Sequence, residues 1–188
     1  MMETRNALIT AAAIAIEEMS VEGLTVREVA RRAKQSTIGI YRNFAGKSGL
    51  LDALFVQGFE RLGEAAKQAG ERAATARDAV LMAVGEYLSL ARKQPQHYRL
   101  MFNRQTTGYT PSPEAKDAAI ANYARFVELV ERLPNIGSDA RRTATDLFAL
   151  VHGHVALRGQ DFGPDAAPEE WSAQIIRRVE RQLDLIGA

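Results

Sequence analysis

Apolar residues recur every three or four positions along most of the chain, which is the spacing of helices that bury one face. No alternating run of convincing length predicts a β-strand. The pattern therefore predicts an all-α fold of about nine helices, with a small three-helix N-terminal head followed by a larger helical bundle. The predicted helices span residues 3–22, 26–33, 37–44, 47–73, 78–94, 96–104, 114–133, 138–158 and 169–186.

Residues 25–44 predict two short helices joined by a tight turn. Thr25 and Glu28 have the spacing of a capping box, and Ser36 can cap the second helix. Helices this short must pack on their neighbours, so we expect Ile40 and Phe44 to face inward. A short helix, a turn and an exposed second helix form a helix-turn-helix, which places its second helix in the major groove of DNA. The supporting face of the first helix comprises Leu8, Ile9, Ala12, Ile16 and Met19.

Positive charge is concentrated in the same part of the chain. Residues 27–47 contain six basic residues and one acidic residue, a net charge of +5, whereas the whole chain carries only +1. Such a concentration indicates a phosphate-binding surface, although most charge runs are only solvated helix faces. The basic residues are Arg27, Arg31, Arg32, Lys34, Arg42 and Lys47.

Three stretches, MSVEGLTVREVARRA, STIGIYRNF and GKSGLLDAL, resemble the DNA-binding domain of the TetR family of bacterial transcriptional regulators. The family usually has glycine and then a small or apolar residue where this chain has Lys34 and Gln35. It often has Gly-Thr before a Leu-Tyr pair, where this chain has Ile38 and Gly39. The resemblance implies a DNA-binding regulator, more often a repressor than an activator.

The second helix of the motif carries hydroxyl, amide and guanidinium groups that can bind base edges or phosphates. Gly39 would let the helix backbone approach the duplex closely. The resemblance implies that Tyr41 and Lys47 contact phosphates, and that Arg27 lies where some relatives contact a base. The predicted DNA-binding residues are Arg27, Ser36, Thr37, Ile38, Gly39, Tyr41, Arg42, Asn43 and Lys47.

Two domains are expected. Residues 1–46 would form the DNA-binding domain and residues 47–188 the ligand-binding and dimerisation domain, with helix 47–73 joining them. Glycine and proline predict breaks within residues 105–113, 134–137 and 159–168, and Ser138 is the expected cap of the helix that follows the second break.

The last two predicted helices carry long apolar stripes. Each stripe can complete the protein's own core, while the resemblance implies that both helices also meet a second copy of the chain. A two-fold dimer would place two heads on an inverted-repeat, palindromic operator. The predicted dimer interface comprises Leu147, Phe148, Val151, Val155, Trp171, Ile175, Ile176, Val179 and Leu183.

The middle helices contain aromatic residues mixed with methionine and leucine. This composition suits a pocket for a largely apolar small molecule, although ordinary core packing is the simpler explanation for each residue taken singly. The resemblance implies an effector pocket in this part of the chain. The candidate lining residues are Tyr87, Tyr98, Met101, Phe102, Tyr123, Phe126 and His152.

Composition narrows the classes of function. The 188 residues include no cysteine, which excludes disulfides and thiolate zinc ligands and fits the cytoplasm. No run approaches the roughly 20 apolar residues that span a bilayer. His152 and His154 lie two positions apart on a predicted helix and so point to different faces. We therefore predict no metal, no cofactor and no membrane partner.

No nucleophile and base are suitably placed in the sequence, and it has no glycine-rich phosphate loop, so an enzyme is not expected. The favoured function is a sequence-specific DNA-binding regulator that responds to a ligand. The alternative is a helical small-molecule-binding or scaffold protein that has lost operator binding, to which the departures at residues 34, 35, 38 and 39 would point.

Overall fold

The computed structural model describes residues 2–103, 108–136, 139–158 and 167–187, and within these ranges every regular element is an α-helix. The prediction of an all-α fold with about nine helices is confirmed. The predicted Ser138 cap, and parts of the three predicted breaks, lie outside the described residues. The helices are α1 (Met2–Gly23), α2 (Val26–Arg32), α3 (Thr37–Phe44), α4 (Lys47–Arg72), α5 (Ala76–Lys93), α6 (Pro95–Phe102), α7 (Pro113–Glu131), α8 (Ala140–Arg158) and α9 (Pro168–Leu185).

The chain forms two compact units. The first contains residues 1–60 and 93–120, and the second contains residues 61–92 and 121–188. Helices α4 and α7 therefore each contribute to both units. The predicted boundary at residue 46 separates domains by function, whereas the two compact units are separated by packing. The predicted boundary therefore stays a prediction.

The core of the first unit lies beneath the predicted apolar face of α1. Leu8, Ala12 and Ile16 are fully buried in one cluster with Ile40 of α3 and Leu54 of α4. The first half of α4, together with parts of α6 and α7, contributes to the same cluster, so the head is not held by three helices alone. Burial of each such aliphatic side chain contributes about 1.5–3 kcal/mol, which stabilises helices that could not persist alone.

The first helix departs from its prediction at its C-terminal end. Ser20 has φ 65° and ψ 167°, which interrupts α1 before its last turn, and the Ser20 hydroxyl accepts a hydrogen bond from the Gly23 amide at 3.4 Å. Met19 directly precedes this kink and is 38% exposed. The prediction from apolar spacing treated residues 3–22 as one straight helix. It therefore placed Met19 on the buried face, which was wrong.

Capping residues define the ends of the two short helices. The Thr25 hydroxyl accepts from the Glu28 amide at 3.2 Å, and the Ser36 hydroxyl accepts from the Gly39 amide at 3.3 Å. Both caps occur as predicted, and each satisfies an amide that the helix cannot pair internally. The Glu28 side chain does not complete the capping box, because its carboxylate binds Arg31 and Arg32 instead.

A carboxylate distant in sequence holds the start of α6. Glu17 of α1 accepts hydrogen bonds from the backbone amides of Gln96 at 3.1 Å and His97 at 2.8 Å. His97 is buried, and its Nε2 donates to the Leu54 carbonyl at 2.7 Å. These bonds join α1, α4 and α6 within the first unit.

Two ion pairs join α5 to α9 in the second unit. Arg77 of α5 binds Asp184 at 2.7 Å, and Arg92 binds Glu169 at 2.5 Å.

Among the described helices, none has both the length and the apolar composition that crossing a membrane requires.

Candidate nucleic-acid interface

Helix α3 has two distinct sides. Ile40 and Phe44 are buried, which confirms the predicted inward face. Ile38 is 73% exposed and Tyr41 is 61% exposed, while Arg42 is also exposed. Because α3 turns by about 100° per residue, anchoring Ile40 and Phe44 in the core directs Ile38 and Arg42 away from it.

The exposed side of α3 borders a groove of about 320 Å³. Of the predicted DNA-binding residues, Ser36, Ile38, Gly39, Arg42 and Asn43 line it together. Sequence reasoning missed two further lining residues. Gln35 directly precedes the cap and could have been included on that ground, whereas Thr4 reaches the groove from α1 through tertiary packing that leaves no local signal.

Two arginines of α2 are neutralised within the head. Glu28 accepts hydrogen bonds from Arg31 at 2.9 and 2.6 Å and from Arg32 at 2.6 Å, and Arg32 also binds Glu18 at 2.6 Å. These hydrogen bonds, from Arg31 first and then Arg32, lower the pKa of Glu28 to about 2. The hydrogen bond to Glu18, and then that to Glu28, raises the pKa of Arg32. The local charge of +5 is thus not all available to phosphates.

Two predicted contact residues also bind the protein's own backbone. The Lys47 ammonium donates to the Glu22 carbonyl at 3.1 Å, and the Asn43 side-chain amide donates to the Gly39 carbonyl at 2.7 Å. An ammonium group has three hydrogens and a side-chain amide has two, so each group retains donors for DNA.

The turn between α2 and α3 contains a lysine in the left-handed conformation. Lys34 has φ 52°, its amide donates to the Arg31 carbonyl at 3.2 Å, and the Gln35 amide donates to the Ala30 carbonyl at 2.9 Å. This arrangement satisfies the last carbonyls of α2 and usually has glycine at the left-handed position. A side chain there costs roughly 1–2 kcal/mol.

Two family models match the chain. "Bacterial regulatory proteins, tetR family" matches residues 8–54, which include the whole helix-turn-helix. "Tetracyclin repressor-like, C-terminal domain" matches residues 80–179, more than half of the chain. The chain belongs to the TetR family. It is a DNA-binding transcriptional regulator, and regulators of this family are generally not enzymes.

Solved structures share the TetR fold along almost the whole chain. A protein of unknown function from Rhodococcus sp. RHA1 is 28% identical, with a TM-score of 0.77, 95% of this chain covered and 94% of that one. A structure named "putative TetR-family transcriptional regulator" from Mesorhizobium loti is 16% identical (TM-score 0.73; 97% and 96% covered). FadR from Bacillus subtilis, in complex with stearoyl-CoA, is 17% identical (TM-score 0.69; 93% and 97% covered).

The predicted pocket residues of this TetR protein do not lie in one unit. Tyr98, Met101 and Phe102 belong to the first unit, where the rings of Phe102 and Phe59 are 5.4 Å apart. A cavity of about 560 Å³ lies between α4 and α5 in the second unit, and none of the seven predicted residues lines it. Its lining residues are Arg61, Glu64, Ala65, Gln68, Ala69, Arg72, Met82, Gly85 and Glu86.

The other four predicted pocket residues lie in the second unit, where three of them surround Phe148. The rings of Tyr87 and Tyr123 meet that of Phe148 edge-on at 5.7 and 5.9 Å, and the His152 ring stacks on it at 5.4 Å. Tyr123 also lies 6.3 Å from Phe126. The Tyr87 hydroxyl and His152 Nδ1 are hydrogen-bonded at 2.9 Å. Phe148, predicted at the dimer interface, therefore packs within its own chain.

We expect His152 to make the stability of the protein depend on pH. Burial lowers the pKa of His152 from its ordinary value of 6.5, so the folded state takes up a proton less readily than the unfolded chain. Its contribution to the free energy of unfolding is complete above pH 6.5 and is lost as the pH falls below that value toward the lowered pKa. Thermal unfolding of wild type and His152→Gln from pH 8 to pH 5 measures this contribution. Parallel curves for the two proteins would contradict it.

Most residues predicted at the dimer interface are buried in the core of the second unit, and their part in a dimer interface stays a prediction. The predicted residues that the single chain already buries are Leu147, Val151, Trp171, Ile175, Val179 and Leu183. Only Phe148, Val155 and Ile176 of the predicted set remain half-buried. The helical period located the apolar side of α8 and α9 correctly, but the neighbouring helices of the same chain cover that side.

Proposed function

We propose that this TetR-family regulator is a cytoplasmic repressor that binds an inverted-repeat operator as a homodimer and releases it when a small molecule binds. The observation that carries the proposal is the exposure of Ile38, Tyr41 and Arg42 on a helix held to the core by Ile40 and Phe44. A helix held this way presents its outer side chains at fixed positions, which sequence-specific recognition requires.

The exposed side chains divide into two kinds of DNA contact. Arg42 can bind guanine with two hydrogen bonds, and Ile38 can contact a thymine methyl group. Tyr41 and Lys47 are proposed to bind phosphates, which set the register of α3 in the groove, and Arg27 of α2 is proposed to contact a base. The hydroxyls of Ser36 and Thr37 and the amide of Asn43 are proposed to add contacts at the rim of the groove.

The outer side of α8 supports the proposed dimer. Ala149 and Ala156 are exposed, and an added Cβ at Gly153 would meet no atom of the chain within 4 Å. These small residues lie one turn apart, opposite the buried Leu147 and Val151, so a helix of a second copy can approach closely. Proteins of this family dimerise. In this proposal the buried apolar residues of α8 support the outer side that contacts the second copy.

The aromatic cluster around Phe148 supports a largely apolar effector. Its rings offer apolar faces, and the Tyr87–His152 pair adds polar groups that can orient a ligand. The FadR neighbour holds stearoyl-CoA, so the fold accommodates a long apolar ligand in that protein. An effector would release DNA here only by binding more tightly to a conformation that fits the operator poorly.

A gel-shift experiment with the intergenic DNA upstream of the gene tests the proposal. We expect a dimer to shift a duplex containing an inverted repeat and to bind a scrambled duplex at least 10³-fold more weakly. Failure to bind any inverted repeat at low salt would contradict the proposal and favour the scaffold alternative. A small molecule that is converted, rather than only bound, would instead favour an enzyme.

Tyr41→Phe is expected to weaken binding to every sequence equally, by about tenfold per head. The hydroxyl of an exposed tyrosine can donate to a charged phosphate, and such a bond contributes about 1.5 kcal/mol. Because the hydroxyl is neutral, its loss should leave the salt dependence of binding unchanged. Titrations of operator and scrambled duplexes at two salt concentrations measure both quantities. A loss confined to the operator would show that Tyr41 contacts a base instead.

A further inference from the structure

The cations of the head are not equally available to DNA. Protein groups already bind three of the six basic residues between positions 27 and 47, namely Arg31, Arg32 and Lys47. The other three form no ion pair within the described ranges, and they are Arg27, Lys34 and Arg42. Lys34 was counted in the basic segment but was not among the individual residues predicted to contact DNA.

Lys34 has a strained backbone conformation, and the fold does not require a lysine side chain at this position. Its φ of 52° is needed for the two backbone hydrogen bonds that end α2. Both bonds are made by main-chain atoms, and glycine adopts this conformation without strain. The Lys34 side chain is exposed, so the head gains no buried contact from it. A strained residue without a structural use points to a functional one.

The position of the turn indicates what that use is. Gln35, the next residue, lines the groove beside α3 together with Ile38 and Arg42. Lys34 does not itself line the groove, but it directly precedes a residue that does, and so lies next to the surface proposed to face the duplex. An ammonium group on a flexible stem suits a phosphate, because it makes a point contact and imposes little geometry.

We propose that Lys34 binds a DNA phosphate at the edge of the recognition surface, and that its strained backbone conformation is retained for this contact. The inference rests on the proposed operator binding. It adds a residue that fixes the register of α3 rather than one that reads a base.

Lys34→Gly tests the proposal because stability and affinity should change in opposite directions. Removing the side chain relieves the left-handed strain, and we expect Tm to rise by about 2–4 °C. The slope of log K against log salt should become less steep by about 0.9 per head. Between 50 and 200 mM salt, the variant should therefore lose about 3.5-fold less affinity per head than wild type. Lys34→Arg keeps the charge and should keep the wild-type slope, and Lys93→Ala removes an exposed lysine from the end of α5 as a control for net charge.

The outcomes separate the two proposals. A higher Tm with a less steep slope supports the phosphate contact. A higher Tm with the wild-type slope, an equal change of slope in Lys93→Ala, or a lower Tm overturns it while operator binding by wild type stands. If wild type binds no inverted repeat, the proposed function itself is wrong, and the Lys34 contact is wrong with it.

Discussion

Gly49→Ala is expected to destabilise the protein by about 3 kcal/mol and to abolish operator binding. An added Cβ at Gly49 would lie 1.8 Å from the Phe44 carbonyl oxygen and 2.9 Å from its carbonyl carbon. Both atoms are backbone, so no side-chain rotation relieves the overlap, and the end of α3 must move. Because Phe44 anchors α3 in the core, that movement displaces the residues proposed to face DNA. Chemical denaturation and the gel shift measure the two effects.

Gly85→Ala is the matched control. Gly85 lies within α5, and an added Cβ there meets no atom within 4 Å. The same substitution should therefore stabilise the protein by about 0.5–1 kcal/mol, because alanine favours a helix interior over glycine. If Gly49→Ala had the same denaturation midpoint as wild type, the close contact between Gly49 and the Phe44 carbonyl would be wrong.

Arg42→Ala is expected to remove most of the discrimination between operator and scrambled DNA. A guanidinium that binds guanine with two hydrogen bonds contributes about 1–3 kcal/mol of discrimination, which corresponds to roughly 5- to 150-fold at each half-site. Arg42 is exposed on the side of α3 opposite Ile40, so the substitution should leave the free energy of unfolding within about 0.5 kcal/mol of wild type. Parallel titrations of both duplexes measure the ratio of affinities.

Arg31→Ala removes the same charge as Arg42→Ala and serves as the comparison. Arg31 is also exposed, but its guanidinium is bound to Glu28 at 2.6 Å. We expect this variant to lose little affinity and no discrimination. Equal losses on operator and scrambled DNA in Arg42→Ala would show that Arg42 contributes only charge. Equal effects of the two substitutions would show that Glu28 does not neutralise Arg31.

The two substitutions examine different properties of one helix. Gly49→Ala examines whether α3 must be held in place, and Arg42→Ala examines what its exposed side reads. Loss of binding in the first variant with unchanged discrimination in the second would show that residues other than Arg42 read the sequence. That result would contradict the base contact proposed for Arg42.

The sequence by itself determined the elements of the head. Helical spacing located α2 and α3, Thr25 and Ser36 supplied their caps, and Ile40 and Phe44 identified the inward side. These features depend on residues within one or two helical turns of each other, so local pattern and hydrogen-bonding chemistry are sufficient to predict them. The resemblance to TetR regulators depended on the same stretch.

The tertiary structure alone decided which apolar and charged groups are already occupied. Periodicity shows that α8 and α9 have an apolar side, but not that the same chain covers it, and Leu147 and Val179 proved to be core residues. Likewise, six positive charges in sequence did not reveal that Glu28 and Glu18 neutralise Arg32. The reason is physical: burial and pairing depend on which side chains meet in space, and Glu17 reaching the amides of α6 shows that such partners can be about eighty residues apart.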